Sequence, residues 1–189
     1  MEEEQSEALS DPRAMRALAH PVRLRLLSEL RIRGPQTVGT LSEATDEPVG
    51  SVSYHLGKLA SHGFVEEVPE MARNRRERWW RASRARTVWK PLSALEDPER
   101  QAATNLLRRA ILQRYAEMLD GYLDSEAFLE PEWTSAAISG DTLLHLTSGD
   151  LLELRGELEE LSARWEARGS EDRPGAHPVS LIFHAFRRP

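Results

Sequence analysis

The run Pro48-Val49-Gly50-Ser51-Val52-Ser53-Tyr54-His55-Leu56-Gly57-Lys58-Leu59-Ala60-Ser61-His62-Gly63 decides how this chain is read. Wound into a helix, it places Val52, Leu56 and Leu59 on one stripe and Ser51, Tyr54, His55 and Lys58 on another. The first stripe can seat the helix on a core. The second is polar, rich in hydrogen-bonding groups, and expected to stay uncovered. Gly63 suits a left-handed helix end, and the following Phe64-Val65-Glu66-Glu67-Val68 has the aromatic and β-branched make-up of a strand.

Working outward, Ser10-Asp11-Pro12 starts a short helix carrying Met15, Leu18 and Ala19, which His20-Pro21 breaks and restarts. Val22, Leu26, Leu27 and Leu30 then recur at helical spacing until Gly34-Pro35 ends the second helix. Thr37 caps a third, expected to bury Val38, Leu41 and Ala44, and Thr45-Asp46-Glu47-Pro48 turns the chain into the quoted run. On the far side, a polar turn over residues 69–75 leads to a return strand over 76–81, making a hairpin with a basic tip. Two short helices, a tight turn, a split-faced helix and a basic hairpin follow the order of a winged helix-turn-helix, expected over residues 11–90. The acidic stretch 1–10, nearly devoid of large apolar groups, is expected to be a disordered tail.

The second half reads differently. Leu92 opens a helical stretch that Asp97-Pro98 interrupts and restarts, running through Leu107, Ile111, Tyr115, Met118 and Tyr122. Residues 91–125 are therefore expected to form a connecting or dimerisation helix. Segments 133–138 and 142–146 flank Ser139-Gly140-Asp141 as a hairpin would, Ser148-Gly149-Asp150 caps a helix striped with Leu151, Leu154, Leu158, Leu161 and Trp165, and 179–186 resembles a closing strand. Residues 126–189 are thus expected to be a small α+β unit serving dimerisation or ligand sensing. The fold class is α+β, mainly α.

The formal charge of the chain is -6, but its distribution matters more than its sum. Residues 11–90 hold 15 Lys/Arg against 9 Asp/Glu, and residues 91–189 hold 10 against 18. The first half can face phosphate while the second faces water or a partner. With no cysteine, a disulfide framework, a thiolate zinc site and a cysteine nucleophile are excluded. Glu2, Glu3 and Glu4 stand where a secretory signal would be basic, and no apolar run reaches membrane-spanning length, so a cytoplasmic protein without membrane contact is expected. No phosphate-cradling loop, Gly-x-Ser-x-Gly elbow or His-Glu-x-x-His motif is present, and an enzyme is not expected.

A helix seated by its apolar stripe can present side chains to the major groove of double-stranded DNA, the expected partner. Ser51 and Ser53 lie near its start, where free backbone N–H groups also favour phosphate, and Tyr54, His55 and Lys58 reach further toward base edges or backbone. In the hairpin, Arg73, Asn74, Arg75, Arg76 and Arg78 are expected to lie along the minor groove or sugar-phosphate backbone. Of the other histidines, His20 is expected to be structural and His62 to lie at the surface. His145 and His184 fall in two expected strands but lack a third ligand, so neither metal nor cofactor is assigned. Trp133 and Trp165, with the residues around those two histidines, could line a pocket for a small-molecule effector. The alternative is a protein-interaction module on the same scaffold, binding through its acidic second half.

The runs Leu18-Ala19-His20-Pro21-Val22-Arg23-Leu24-Arg25-Leu26-Leu27 and Ser51-Val52-Ser53-Tyr54-His55-Leu56-Gly57-Lys58-Leu59-Ala60-Ser61-His62-Gly63-Phe64-Val65 resemble the ArsR-type winged-helix transcriptional regulators. The resemblance covers roughly residues 11–90. It implies a homodimer that binds an imperfect palindromic operator through two recognition helices, usually as a repressor relieved by a signal. The family's cysteine and Asp/His metal-sensing arrangements are missing here, and the C-terminal extension exceeds the minimal family fold.

Overall fold

The computed structural model describes residues 9–74, 77–84, 97–169 and 173–188. The expected tail falls almost wholly outside these residues, as do Arg75, Arg76 and Leu92. The chain divides into two compact units, Met1–Asp124 and Ser125–Pro189.

The first unit opens with α1 (Pro12–Leu18), capped by the Asp11 carboxylate, which accepts the Arg13 N–H at 2.9 Å. In α2 (Pro21–Arg33) the cap is His20, whose Nδ1 accepts the Val22 N–H at 3.2 Å. The two-residue β1 (Gln36–Thr37) leads into α3 (Val38–Thr45), where Thr37 and Thr40 form a reciprocal capping box. Asp46 ends α3 at φ 53, a left-handed conformation that an Asp side chain tolerates, and the chain re-enters helix as α4 (Val49–Ala60). Gly63, at φ 70, then turns the chain into β2 (Val65–Glu67).

After a 3₁₀ turn at Pro69–Met71, β3 (Trp79–Ala82) returns antiparallel to β2, pairing Val65 with Ala82 and Glu67 with Trp80. The other edge of β3 pairs with β1, Gln36 opposite Trp80, so the sheet has order β1-β3-β2. The hairpin was legible in the sequence, whereas β1 is too short to leave a periodic signal. The long α5 (Pro98–Ser125) completes the unit.

One core joins these elements. Leu26, Leu41, Val52, Leu56 and Leu59 are fully buried, with Met15, Leu18, Leu27, Leu30, Val65 and Trp80 packed among them. The third helix differs from expectation, since Thr45 is buried where Ala44 is exposed. The Thr45 hydroxyl is satisfied by donating to the Leu41 carbonyl at 2.6 Å, so burying it leaves no polar group unpaired. At its start α5 lies on α1: Ala103, Leu107 and Ile111 join the core, the Thr104 hydroxyl points at the Met15 sulfur at 3.3 Å, and Arg16 pairs with Glu99 at 2.8 Å.

In the second unit, the short α6 (Pro131–Ala136) precedes α7 (Ser148–Arg168), which begins at a capping box between Thr147 and Asp150. The expected helix at 148–168 is present. The expected hairpin over 133–146 and the closing strand over 179–186 are not: residues 133–136 are helical, and no described residue from 137 to 147 or from 176 to 188 belongs to a strand. Their apolar residues read as strand composition, but composition alone does not form a strand without a neighbouring one to pair with. The α and β content of the whole remains mainly α with a small antiparallel sheet.

Candidate nucleic-acid interface

The split of α4 into two faces is realised, with His55 and Ser51 changing side. Val52, Leu56 and Leu59 are fully buried against the other helices, and Ser53, Tyr54 and Lys58 are exposed. Tyr54 is 59% exposed, with the Lys58 ammonium 5.8 Å from its ring centroid, within cation–π range. Gly50 and Gly57 lie on the same outer side, and a Cβ added at either would meet open space. Glycine in a helix interior costs about 1 kcal/mol relative to Ala, so Gly57, mid-helix on a solvent face, is hard to explain by folding alone, while Gly50 lies in the first turn. They make the helix backbone itself accessible, a feature that attention to hydrogen-bonding side chains passed over.

His55, expected among the groove-facing residues, is instead 8% exposed. Its ring lies 4.5 Å from that of His20, centroid to centroid, and its Nδ1 is 3.5 Å from an Arg23 guanidinium nitrogen. Burial, then His20 and Arg23, hold the His55 pKa below its ordinary value, with Glu47 opposing. At His20 burial again leads, followed by Arg23, with the same opposition from Glu47 and a further lowering by Arg25. Both rings are therefore neutral at pH 7, and His20 needs its unprotonated Nδ1 to cap α2. The histidine pair joins the start of α2 to the middle of α4.

Glu47, in the turn between α3 and α4, was not singled out from sequence. Its carboxylate accepts from Arg25 at 2.5 Å on one oxygen and from the Ser51 hydroxyl at 3.2 Å on the other. Ser51 is thereby drawn into a contact that anchors the first turn of α4 to α2. The signal was faint, because an acidic residue in a polar turn is ordinary in sequence.

In the β2–β3 hairpin the exposed Arg81 pairs with Glu66 at 2.7 Å, and Arg78 pairs with Glu67 while its guanidinium lies 4.9 Å from the Trp80 ring centroid. These cross-strand pairs stiffen the hairpin stem. Nearer the tip, Arg73 and Asn74 are exposed, and the Arg73 N–H donates to the Glu77 carboxylate at 2.8 Å, which closes the turn. Arg31 on α2 donates to the Arg84 carbonyl at 3.1 Å, tying the end of the hairpin to the helical body.

The structure thus brings Ser53, Tyr54 and Lys58 together on one exposed helix face, and places Arg73, Asn74 and Arg78 on the hairpin that follows it in the chain. It turns His55 and Ser51 toward the body. Elsewhere, Trp133 meets His177 edge-on at 5.2 Å and Trp165 lies under Arg168 at 4.8 Å. Among the described residues no group of three or more His, Asp or Glu side chains could hold a metal ion, and no helix is long and apolar enough to cross a membrane.

Fold and interface define the first unit as a winged helix-turn-helix, a DNA-binding architecture of the kind transcriptional regulators carry. Residues 18–68 match the family described as a helix-turn-helix domain. Both runs that carry the ArsR-type resemblance, 18–27 and 51–65, lie within that match. Among solved structures, the chain is similar to an NMR structure of a homodimeric winged helix-turn-helix DNA-binding domain from Mycobacterium bovis, assigned as a possible ArsR-family transcriptional regulator. Identity is 24%, covering 56% of this chain and 76% of that one, with a TM-score of 0.34. No curated protein matches the chain.

Proposed function

We propose that the protein is a homodimeric transcriptional regulator that represses from a palindromic operator, inserting α4 of each copy into successive major grooves. The observation that carries this reading is the outer face of α4. A helix locked by three fully buried residues presents Tyr54, Ser53 and Lys58 around two unshielded glycines, so both side chains and backbone can meet DNA.

In this reading Ser53, Tyr54 and Lys58 touch DNA, while His55, Ser51 and Glu47 are positioning residues that hold α4 at its docking angle. Arg73 and Asn74, with Arg75 and Arg76 as sequence-based members of the same tip, approach the phosphates. Arg78 joins them by exchanging Glu67 for a phosphate oxygen, both being anionic acceptors. On α5, Leu112, Leu119 and Leu123 are 49%, 51% and 57% exposed, and their spacing sets them on one side of the helix, away from the buried stripe of Ala103, Leu107 and Ile111. That second apolar stripe supplies the subunit contact that two half-sites require.

The test is selection of bound duplexes from fragmented genomic DNA, followed by titration of the recovered sequence. The reading predicts a palindromic winner bound about a thousandfold or more above random duplex, in the range of specific regulators. Retention of only sequence-blind binding contradicts it.

A further inference from the structure

We propose that the second unit is a strand-exchange module, in which residues 179–186 of one copy pair with residues 142–146 of another. The proposal rests on the homodimer of the proposed function and names where its second interface lies. Among the described residues from 125 to 188, none is buried. A hydrophobic face gains stability only by leaving water, so the apolar side chains of this unit call for a cover. Leu143, Leu144 and Leu146 in the first segment, and Leu181, Phe183 and Phe186 in the second, are between 42% and 72% exposed.

Contiguous apolar side chains left exposed in this way mark an association surface. Neither segment belongs to a strand within the single chain, although both have strand composition.

Charge argues for a second copy as the occupant. Residues 173–188 carry Arg173, Arg187 and Arg188 and no acid, whereas residues 126–160 carry nine Asp/Glu against the single Arg155. Two basic segments facing each other would repel, but exchange sets each basic segment on the acidic part of the other copy. An antiparallel register between 179–186 and 142–146 brings Arg187 toward Asp141. Each copy supplies both halves of the contact, so the exchange closes as a two-fold dimer with no free half left to recruit a third chain.

Amide hydrogen exchange of the full-length chain, followed by mass spectrometry over a dilution series with sedimentation at each concentration, tests this directly. We expect the amides of 142–146 and 179–186 to exchange about a hundredfold or more slowly in the dimer. Both segments should lose protection over the same dilution that dissociates it. In the Leu181→Asp/Phe183→Asp variant both segments should be unprotected, with α2 to α4 protected as before. Unprotected segments at all concentrations, or protection that persists in the monomer, overturn the proposal. Duplex binding measured on the same samples separates the two readings. A chain that binds its operator with unprotected segments keeps the regulator and loses the exchange, and protected segments without duplex binding do the reverse.

Discussion

Tyr54 and Lys58 bear the most direct expectation, because they are exposed on α4 and cover one another without contributing to the core. Lys58→Ala should leave the thermal midpoint unchanged within error, weaken operator binding and lower the salt dependence by about one counterion per copy in an anisotropy titration. Gly57→Ala separates folding from function in the opposite sense. It should stabilise the protein by about 0.5–1 kcal/mol in chemical denaturation, since Ala is the better helix former and its Cβ meets nothing. The same methyl should lower DNA affinity by keeping the backbone away from the groove. Glu47→Ala should also reduce affinity, though Glu47 is proposed to touch no DNA, because it releases Arg25 and Ser51 from the start of α4. A neutral outcome in binding would remove Glu47 from the positioning set.

At the scale of elements, the histidine pair between α2 and α4 predicts how stability follows pH. Burial, as the largest cause, lowers both pKa values below the ordinary 6.5, so the folded state favours neutral rings. The stabilising contribution is complete above the unfolded value of 6.5 and is lost as pH falls through it toward the lower folded values. The melting temperature of the first unit should therefore drop on acidification from about pH 7.5 to about pH 5.5. His55→Gln, which cannot titrate, should flatten that drop in differential scanning fluorimetry, and an unchanged pH profile would exclude His55 from it. The helices and the hairpin of this unit were legible because caps, breakers and apolar spacing agree along residues 11–82. His55 was misjudged because it lies at the border of the two stripes of α4, where periodicity alone does not decide which side faces the core. The contact with His20, 35 residues upstream, decides it. The strands expected over 133–146 and 179–186 failed for a different reason, since composition states a preference for sheet and only a partner edge can satisfy it.

For the molecule as a whole, charge is uneven along the chain, and uncovered apolar side chains occur in both units. Residues 11–90 hold 15 Lys/Arg against 9 Asp/Glu, whereas residues 125–189 hold 6 against 12. In the proposed reading the exposed stripe of α5 and the second unit both serve the subunit contact. Leu119→Asp combined with Leu123→Asp on α5 should lower affinity for a full palindrome by about tenfold or more while leaving an isolated half-site unaffected, because two linked contacts bind far better than one. Equal losses on both duplexes would point instead to damage within the α4 unit. The most direct test of the central claim is fluorescence anisotropy of the selected duplex against wild-type and Lys58→Ala protein at two salt concentrations. The outer face of α4 as the reading surface predicts tight wild-type binding that weakens at least about a hundredfold between 50 and 200 mM salt, with weaker binding and a shallower slope for the variant. Identical affinity and salt slope for the two proteins would contradict it.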